Sequence, residues 1–420
     1  MITKILHQIW NQRRHNAWIF VELFFVSLFL WMIVDPLYVI YAKKSIPGGY
    51  DNENRYIISV TIDEGQIGNR DLKYNLVNEI INMPEVENSI IPFQASTPES
   101  SAIITDRLHN EEDKGKHAIV YVFHYRWLGN RNMFATLGIK DANSGKTLTV
   151  PENYKGDDSQ IFISKSAAMQ LYGTTDVIGR KPKEEIEIIG VYEDYKSVSY
   201  MEPLPSVIYL LPGVGMLDIY LNKIVKLKVE SKAENFIQRV NDLSEKKDYE
   251  NIKEIRIETL DGYRKKTETY AMVANTVRQK IIFGAFAILC IFLCITGTFW
   301  VRMENRRGDI GIMCSIGASR NRVVWQYVTE AVLLLTLAFL AAMPFILHYI
   351  LISGFAEPSV CALPGNFIPN PEYKVNNFYI HFASVTVITY AAMLLITIIG
   401  TLIPVYRATR IEPADALRDE

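Results

Sequence analysis

Between Ile281 and Val301 the chain runs for 21 residues without a charged side chain. Val323 to Ile352 is interrupted only by Glu330 and His348, and Tyr379 to Tyr406 only by His381. An α-helix rises about 1.5 Å per residue, so some 20 apolar residues cross a hydrocarbon layer of about 30 Å. Each stretch is long enough. Ala17 to Ala42 is a fourth candidate, apolar and aromatic but holding Glu22 and Asp35. Its apolar part is too long for the core of a typical secretion signal, and no small-residue cleavage pattern precedes Lys43. It is therefore read as a retained anchor, with Asp35 and Pro36 marking where it kinks or leaves the hydrocarbon. The expected fold class is a membrane α-helical protein of four transmembrane helices, with a large α+β extracytoplasmic domain between helices 1 and 2.

Orientation is set by lysine and arginine in the short flanks. Lys4, Arg13 and Arg14 precede the first span, Arg407, Arg410 and Arg418 come after the last, and residues 302–322 hold five arginines against Glu304 and Asp309. With four spans these segments share one side, so both termini and that loop are expected in the cytoplasm. The expected layout is an interfacial amphipathic helix over 1–16, spans at 17–42, 281–301, 323–352 and 379–406, and a cytoplasmic segment over 302–322. An outer domain fills 43–262, a helical stalk 263–280, an outer loop 353–378 and a cytoplasmic tail 407–420. The first segment is read so because Ile2, Ile5, Leu6, Ile9 and Trp10 share one helical face; a frayed tail is the alternative.

The outer segment can bury a core of its own. "RYIISVTI", "KHAIVYVFHYR", "EIEIIGVYEDY" and the alternating "KIVKLKVES" read as strands. "DLKYNLVNEIINM" and "AENFIQRVNDLSEK" read as helices, and "SKSAAMQLYG" as a helix with a serine cap and a closing glycine. The mixed order points to α+β rather than a repeating βαβ array.

Little of the sequence points to catalysis. "SGKT" at 144–147 lacks a glycine at the spacing a phosphate loop needs, since Gly138 lies too early, and a turn between strands accounts for it. The histidines show no HExxH spacing, and no cysteine spacing suggests a metal site or a structural disulfide. Asp157-Asp158 and Glu111-Glu112-Asp113 read as solvated loop charges. No bound cofactor or metal is expected, and a formal net charge of −2 gives no reason to expect nucleic acid. Glu22 and Glu330 lie inside spans, where an ionised carboxylate costs about 2.5–3.5 kcal/mol on insertion scales, so both are candidates for polar contacts between spans or subunits.

The remaining signal is "ENRRGDIGIMCSIGASRNRVV", residues 304–324, an apolar centre in a basic frame. With the tail "IPVYRATRIEPADALRDE" and the outer stretches "ISKSAAMQLYGTTDVIGRK" and "IEIIGVYEDYKSVS", it resembles the permease subunits of the MacB/FtsX/LolC-E class of ABC transporters. The matching loop positions are Arg306, Asp309, Ile310, Gly311, Ile312, Gly317, Ala318 and Ser319. The likeness covers the ends and middle of the chain well, and 43–150 and 200–260 poorly. Asp309 stands where the family has glutamate, and Met313-Cys314-Ser315 where it has Leu-Arg-Ala, so one family arginine is missing.

The resemblance implies that this loop is a coupling helix seated in a groove of a cytoplasmic ABC ATPase. Ile310, Ile312, Met313 and Ile316 would fill the groove, Arg306, Arg307, Arg320 and Arg322 would frame it, and Gly317-Ala318-Ser319 would end one helix and cap the next. The chain would then be no enzyme itself. ATP would be hydrolysed by a partner subunit, and a second copy or paralogue would complete a dimer in the bacterial inner membrane. A periplasmic adaptor and an outer-membrane channel are further partners the class uses, besides membrane lipid. Efflux of a peptide or drug, lipoprotein handling and control of a cell-wall hydrolase are all compatible with the layout, and the large outer domain counts against the last. From another class, a membrane sensor whose outer domain binds a ligand or regulates a cell-wall enzyme is the alternative.

Overall fold

The computed structural model describes residues 13–62, 70–92, 104–127 except 112 and 114, 132–212 except 184, 197, 198, 200 and 201, 222–245, 252–270, 273–355 except 354, and 371–409. The chain divides into a helical unit of residues 1–41, 274–360 and 368–420 and a sheet unit of 42–273 with 361–367. Each is taken by itself.

Among the described residues of the sheet unit, nine strands form one mixed sheet: β1 (Arg55–Ile62), β2 (Val86–Pro92), β3 (Thr105–His109), β4 (His117–Trp127), β5 (Gln160–Ser164), β6 (Glu187–Tyr192), β7 (Ser206–Pro212), β8 (Lys223–Leu227) and β9 (Ile252–Thr259). Their order is β6-β5-β7-β4-β2-β8-β1-β9, with β3 paired to β4. Of these pairs, β4/β7 and β5/β6 run parallel. Successive strand residues point to opposite faces, and the burial has that parity. Tyr121, Phe123 and Tyr125 of β4 enter one cluster with Ile57, Ile90 and Phe162, whereas Ala118, Val120 and Val122 enter another.

Three helices close the second set of positions. On α2 (Arg70–Ile81) and α5 (Ala233–Ser244), Leu76, Ile80, Phe236 and Val240 pack on Ile58, Val60 and Val225. On α4 (Lys165–Tyr172), Ala167, Ala168 and Leu171 pack on β4 and β5. Ser164 caps α4 by accepting from the Ala167 amide at 3.3 Å, and Gly173 ends it at φ 70°. The short α3 (Met133–Leu137) carries Phe134 edge-on to Phe162 in the first cluster. The "SGKT" segment is the tip of a tight turn: Lys140 bridges to Thr147, and Asp141 Oδ1 accepts from the Asn143 and Ser144 amides at 3.1 and 2.6 Å. After β9 the chain enters α6 (Leu260–Tyr270).

In the helical unit α1 (Arg13–Ser45), α7 (Val273–Glu304), α9 (Arg320–Ser353) and α10 (Pro371–Ala408) are long and apolar, and α8 (Arg307–Ser315) is short. Among the described residues four helices are thus long and apolar enough to cross a membrane. The interfacial segment expected over 1–16 falls outside the described residues up to 12. So do most of the loop at 353–378 and the tail beyond 409. Within the expected stalk, helix runs to Tyr270 and again from Val273, with 271 and 272 not described. Leu23 and Leu30, Ile291, Ile295 and Phe299, Leu334, Leu335 and Ala338, and Met393 fill a shared apolar core from all four long helices.

Gly49 is the glycine whose position is most exacting. It sits at φ 77°, and an added Cβ would lie 2.4 Å from the Asp194 carbonyl oxygen and 2.7 Å from the Tyr195 Cα. Gly49→Ala is expected to destabilise the sheet unit by about 1–3 kcal/mol from backbone strain alone. Thermal unfolding read on sheet-unit tryptophan fluorescence checks this, and an unchanged midpoint would contradict it.

Candidate functional site

The patterned loop is a helix with a defined stop. α7 ends at Glu304, and the Ile310 amide donates to the Arg306 carbonyl at 3.0 Å as α8 begins. At the far end Gly317 adopts φ 97°, and the Ala318 amide reaches back to the Met313 carbonyl at 3.0 Å. That pairing across a left-handed glycine satisfies a carbonyl the helix end leaves open. The Ser319 carbonyl then accepts from the Arg322 and Val323 amides at 2.9 and 3.2 Å, so α9 starts at once. Two helices joined so tightly leave α8 little freedom to slide.

The faces of α8 differ from the expectation in one respect. Ile310 is 3% exposed and packs with Met303, Val323, Tyr327, Val328 and Val405. It is an anchor within the chain and cannot enter a partner's groove. Ile312 and Ile316, 46% and 81% exposed, are the free apolar residues. Helical geometry explains the split: two residues' separation is about 200° of rotation, whereas four bring side chains back to one face. Met313 is half-buried, Ala318 packs partly against the Ile310 cluster, and Gly317 and Ser319 are at the surface. Arg320 and Arg322 are exposed, and the Arg306 guanidinium lies 5.8 Å from the centre of the Tyr327 ring. The side chains of Arg307, Asp309 and Cys314, and the surroundings of Gly311, lie outside the description. Trp325 is exposed one turn into α9.

The intramembrane polar residues find partners. Glu330 is buried and takes an ion pair from Arg302 at the end of α7, whose guanidinium also stands 5.7 Å from the Phe299 ring. Glu22 of α1 lies beside Cys294 of α7. Arg407 of α10 lies 4.8 Å over Trp300.

Asp35 departs from its expected role. α1 continues through Pro36 to Ser45, so the helix does not end there. Asp35 is 2% exposed, and its Oδ1 is 2.7 Å from Nε2 of His381 on α10. Phe355 stacks on the imidazole at 3.9 Å, and Tyr38 meets it edge-on at 4.7 Å. A buried carboxylate demands such a partner. The signal lay in two places: Asp35 is the one acidic residue in the outer half of the first span, and His381 the one imidazole in the last.

Exposed aromatics bracket these contacts. Trp18, Trp300, Trp325 and Tyr406 mark one end of the four helices, and Tyr41, Tyr349 and Tyr379 the other end of three. Along a helix the two sets are roughly 35–40 Å apart, matching interfacial belts around a hydrocarbon layer of about 30 Å.

The FtsX-like permease C-terminal family matches residues 281–413, which run from α7 through α8 and α9 to the end of α10. Over this region the chain is similar to FtsX-like permease domains. No curated protein matches the chain significantly. Among solved structures, the periplasmic region of MacB from Actinobacillus actinomycetemcomitans is similar, at 13% identity over 52% of this chain and 94% of that chain, with a TM-score of 0.33. The extracellular domain of the noncanonic ABC-type transporter YknZ from Gram-positive bacteria aligns at 14% identity over 48% of this chain and 100% of that one, with a TM-score of 0.29. Likeness at this level adds no weight to the assignment. The likeness to a permease domain rests on the family match, whose range takes in three of the four long apolar helices together with α8.

Removing either member of the Asp35–His381 pair strands a buried polar group. Asp35→Ala and His381→Ala are each expected to cost the helical unit about 3–5 kcal/mol, with the double substitution costing clearly less than their sum. Unfolding of the detergent-solubilised protein by added sodium dodecyl sulfate measures this, and strict additivity would show that the contact contributes nothing.

Proposed function

We propose that the chain is the permease subunit of an ABC transporter, and that α8 receives motion from a separate cytoplasmic ATPase and passes it to the sheet unit outside the membrane. The observation that carries this reading is the outward pair Ile312 and Ile316, presented on a helix that Ile310 and the Gly317 stop fix to α7 and α9. Exposed apolar residues beside Arg320 and Arg322 suit a groove with an acidic rim, and a few buried anchors carry most of the energy of a protein interface. Excess lysine and arginine at both termini and around α8 favours a cytoplasmic location for all three.

Mechanical transmission fits better than conduction. The space between the four spans is filled by leucine, isoleucine, phenylalanine and methionine side chains, and such a core offers a hydrophilic solute no path. Cargo would instead be handled by the sheet unit, as in efflux of a peptide or drug or the handling of a lipoprotein. A second permease copy or a paralogue would pair with this one, with two ATPase copies beneath, and the chain itself would hydrolyse nothing. An adaptor and an outer-membrane channel would extend the path where the cell has an outer membrane.

Purifying the tagged chain in mild detergent tests this reading. An ATPase should co-purify, and Ile312→Asp with Ile316→Asp should lower its recovery by roughly 30-fold or more, the loss of about 2 kcal/mol at an interface hot spot. Ile310→Asp should act differently, by lowering the yield of folded permease. Unchanged ATPase recovery from the double variant would remove α8 as the docking element. A kinase in place of the ATPase would favour the sensor.

A further inference from the structure

Lys196 is 2% exposed, just beyond the end of β6 in the sheet unit. Its Nζ donates to the main-chain oxygens of Lys43 and Ile46, each at 2.6 Å, and of Ser199 at 3.2 Å. An ammonium has three N–H donors, and withdrawing it from water is costly unless strong acceptors replace the lost hydration. Lys43 belongs to the last turn of α1, where its carbonyl has only a long 3.3 Å bond from the Ile46 amide and the helix dipole is negative. Lys196 is thus a cap for the end of the first span, supplied from 150 residues further along the sequence.

A second contact lies beside the first. The Ser199 hydroxyl donates to Glu268 Oε1, and Glu268 Oε2 pairs with Lys44 Nζ at 2.8 Å. Glu268 stands on α6, which ends at Tyr270, three positions before α7 begins. The two passages of chain that leave the sheet unit for the spans, residues 43–46 and α6, are therefore fastened to each other and to the loop after β6. The neighbouring backbone agrees: the Lys196 amide donates to the Gly48 carbonyl at 2.8 Å, next to Gly49, which admits no Cβ.

We propose that Lys196 is the joint through which movement of the first span reaches the sheet unit, with Ser199 and Glu268 tying the second passage to the same point. The joint rests on the mechanical reading of the permease and assigns its transmission to particular atoms. Lys196 acts here as a positioning residue. An exposed lysine would swing freely; one gripped by three carbonyls transmits a pull along α1 to β6.

The test uses the full-length permease with its ATPase in lipid nanodiscs. Its native cysteines are replaced by serine, and a fluorophore pair is attached at Met169→Cys of the sheet unit and Ile352→Cys of the helical unit, both exposed. Energy transfer is measured on adding ATP, beside the ATPase rate. With Lys196 intact, transfer should change with ATP. Lys196→Met should keep the ATPase rate near its original value and shrink the ATP-dependent change about ten-fold, the loss of one charge-assisted set of bonds. A residue that merely stabilises the fold would lower both together. Should Lys196→Met fail to fold, Glu268→Ala decides: it leaves the buried ammonium in place, breaks only the second tie, and should reduce the change while sparing the ATPase. Full ATP-dependent change in either folded variant overturns the joint. No ATP-dependent change in the unsubstituted permease, despite a bound active ATPase, overturns the mechanical reading and the joint with it.

Discussion

In hydrocarbon an apolar side chain gains nothing by leaving lipid for a neighbouring helix, so close packing and polar contacts decide how spans associate. The helical unit is organised by that constraint. Asp35 and His381 join the first span to the last, Arg302 and Glu330 the second to the third, and Arg407 and Trp300 the second to the fourth. The contacts near the α8 end, at Glu330, Arg302 and Arg407, fix the platform from which α8 projects. Asp35–His381 fixes the other end, close to Tyr41 and Tyr379. Between them the core is apolar and close-packed. A bundle pinned at both ends and filled in the middle suits the proposed transmission of movement better than an opening along its axis.

The sheet unit is built on the opposite principle. There water is the solvent, burial of alternate strand residues drives folding, and most charge is left at the surface. Lys196 is an exception, and it sits where the chain passes from one regime to the other. Its ammonium adds a strong donor to the Lys43 carbonyl at the end of α1 and another to the Ile46 carbonyl just beyond it. The stretch "GVYEDYKSVS" holds the chain where it leaves α1. Asp194, Tyr195, Lys196 and Ser199 within it grip residues 43–49 and Glu268.

Much of this was legible in the sequence. The four spans come from long runs of apolar residues, the strand at 223–227 from alternation, and those at 55–62, 117–127 and 187–192 from short apolar runs. The helix at 165–172 was marked by Ser164 and Gly173. Other parts were hidden for physical reasons. β7, "SVIYLLP", is apolar on both faces because Val207 and Tyr209 enter one cluster and Ile208 and Leu210 the other, so period-two alternation is missing. β9 lies at the edge of the described sheet and carries charges that disguise it. The Asp35–His381 pair joins residues 346 apart in sequence, and no local pattern encodes such a contact. Ile310 and Ile312 look equivalent in a string, yet the helix turns one toward Tyr327 and the other outward.

Whether an ATPase takes hold of the outer face of α8 can be read by photo-crosslinking from position 316, with a benzophenone amino acid replacing Ile316 in the native membrane. An ATPase seated there gives an adduct between the permease and a nucleotide-binding subunit. That adduct should be absent when the same probe replaces Val405, in the buried cluster around Ile310. An adduct from 316 with lipid alone, or with a cytoplasmic protein that binds no ATP, would contradict the docking role of α8.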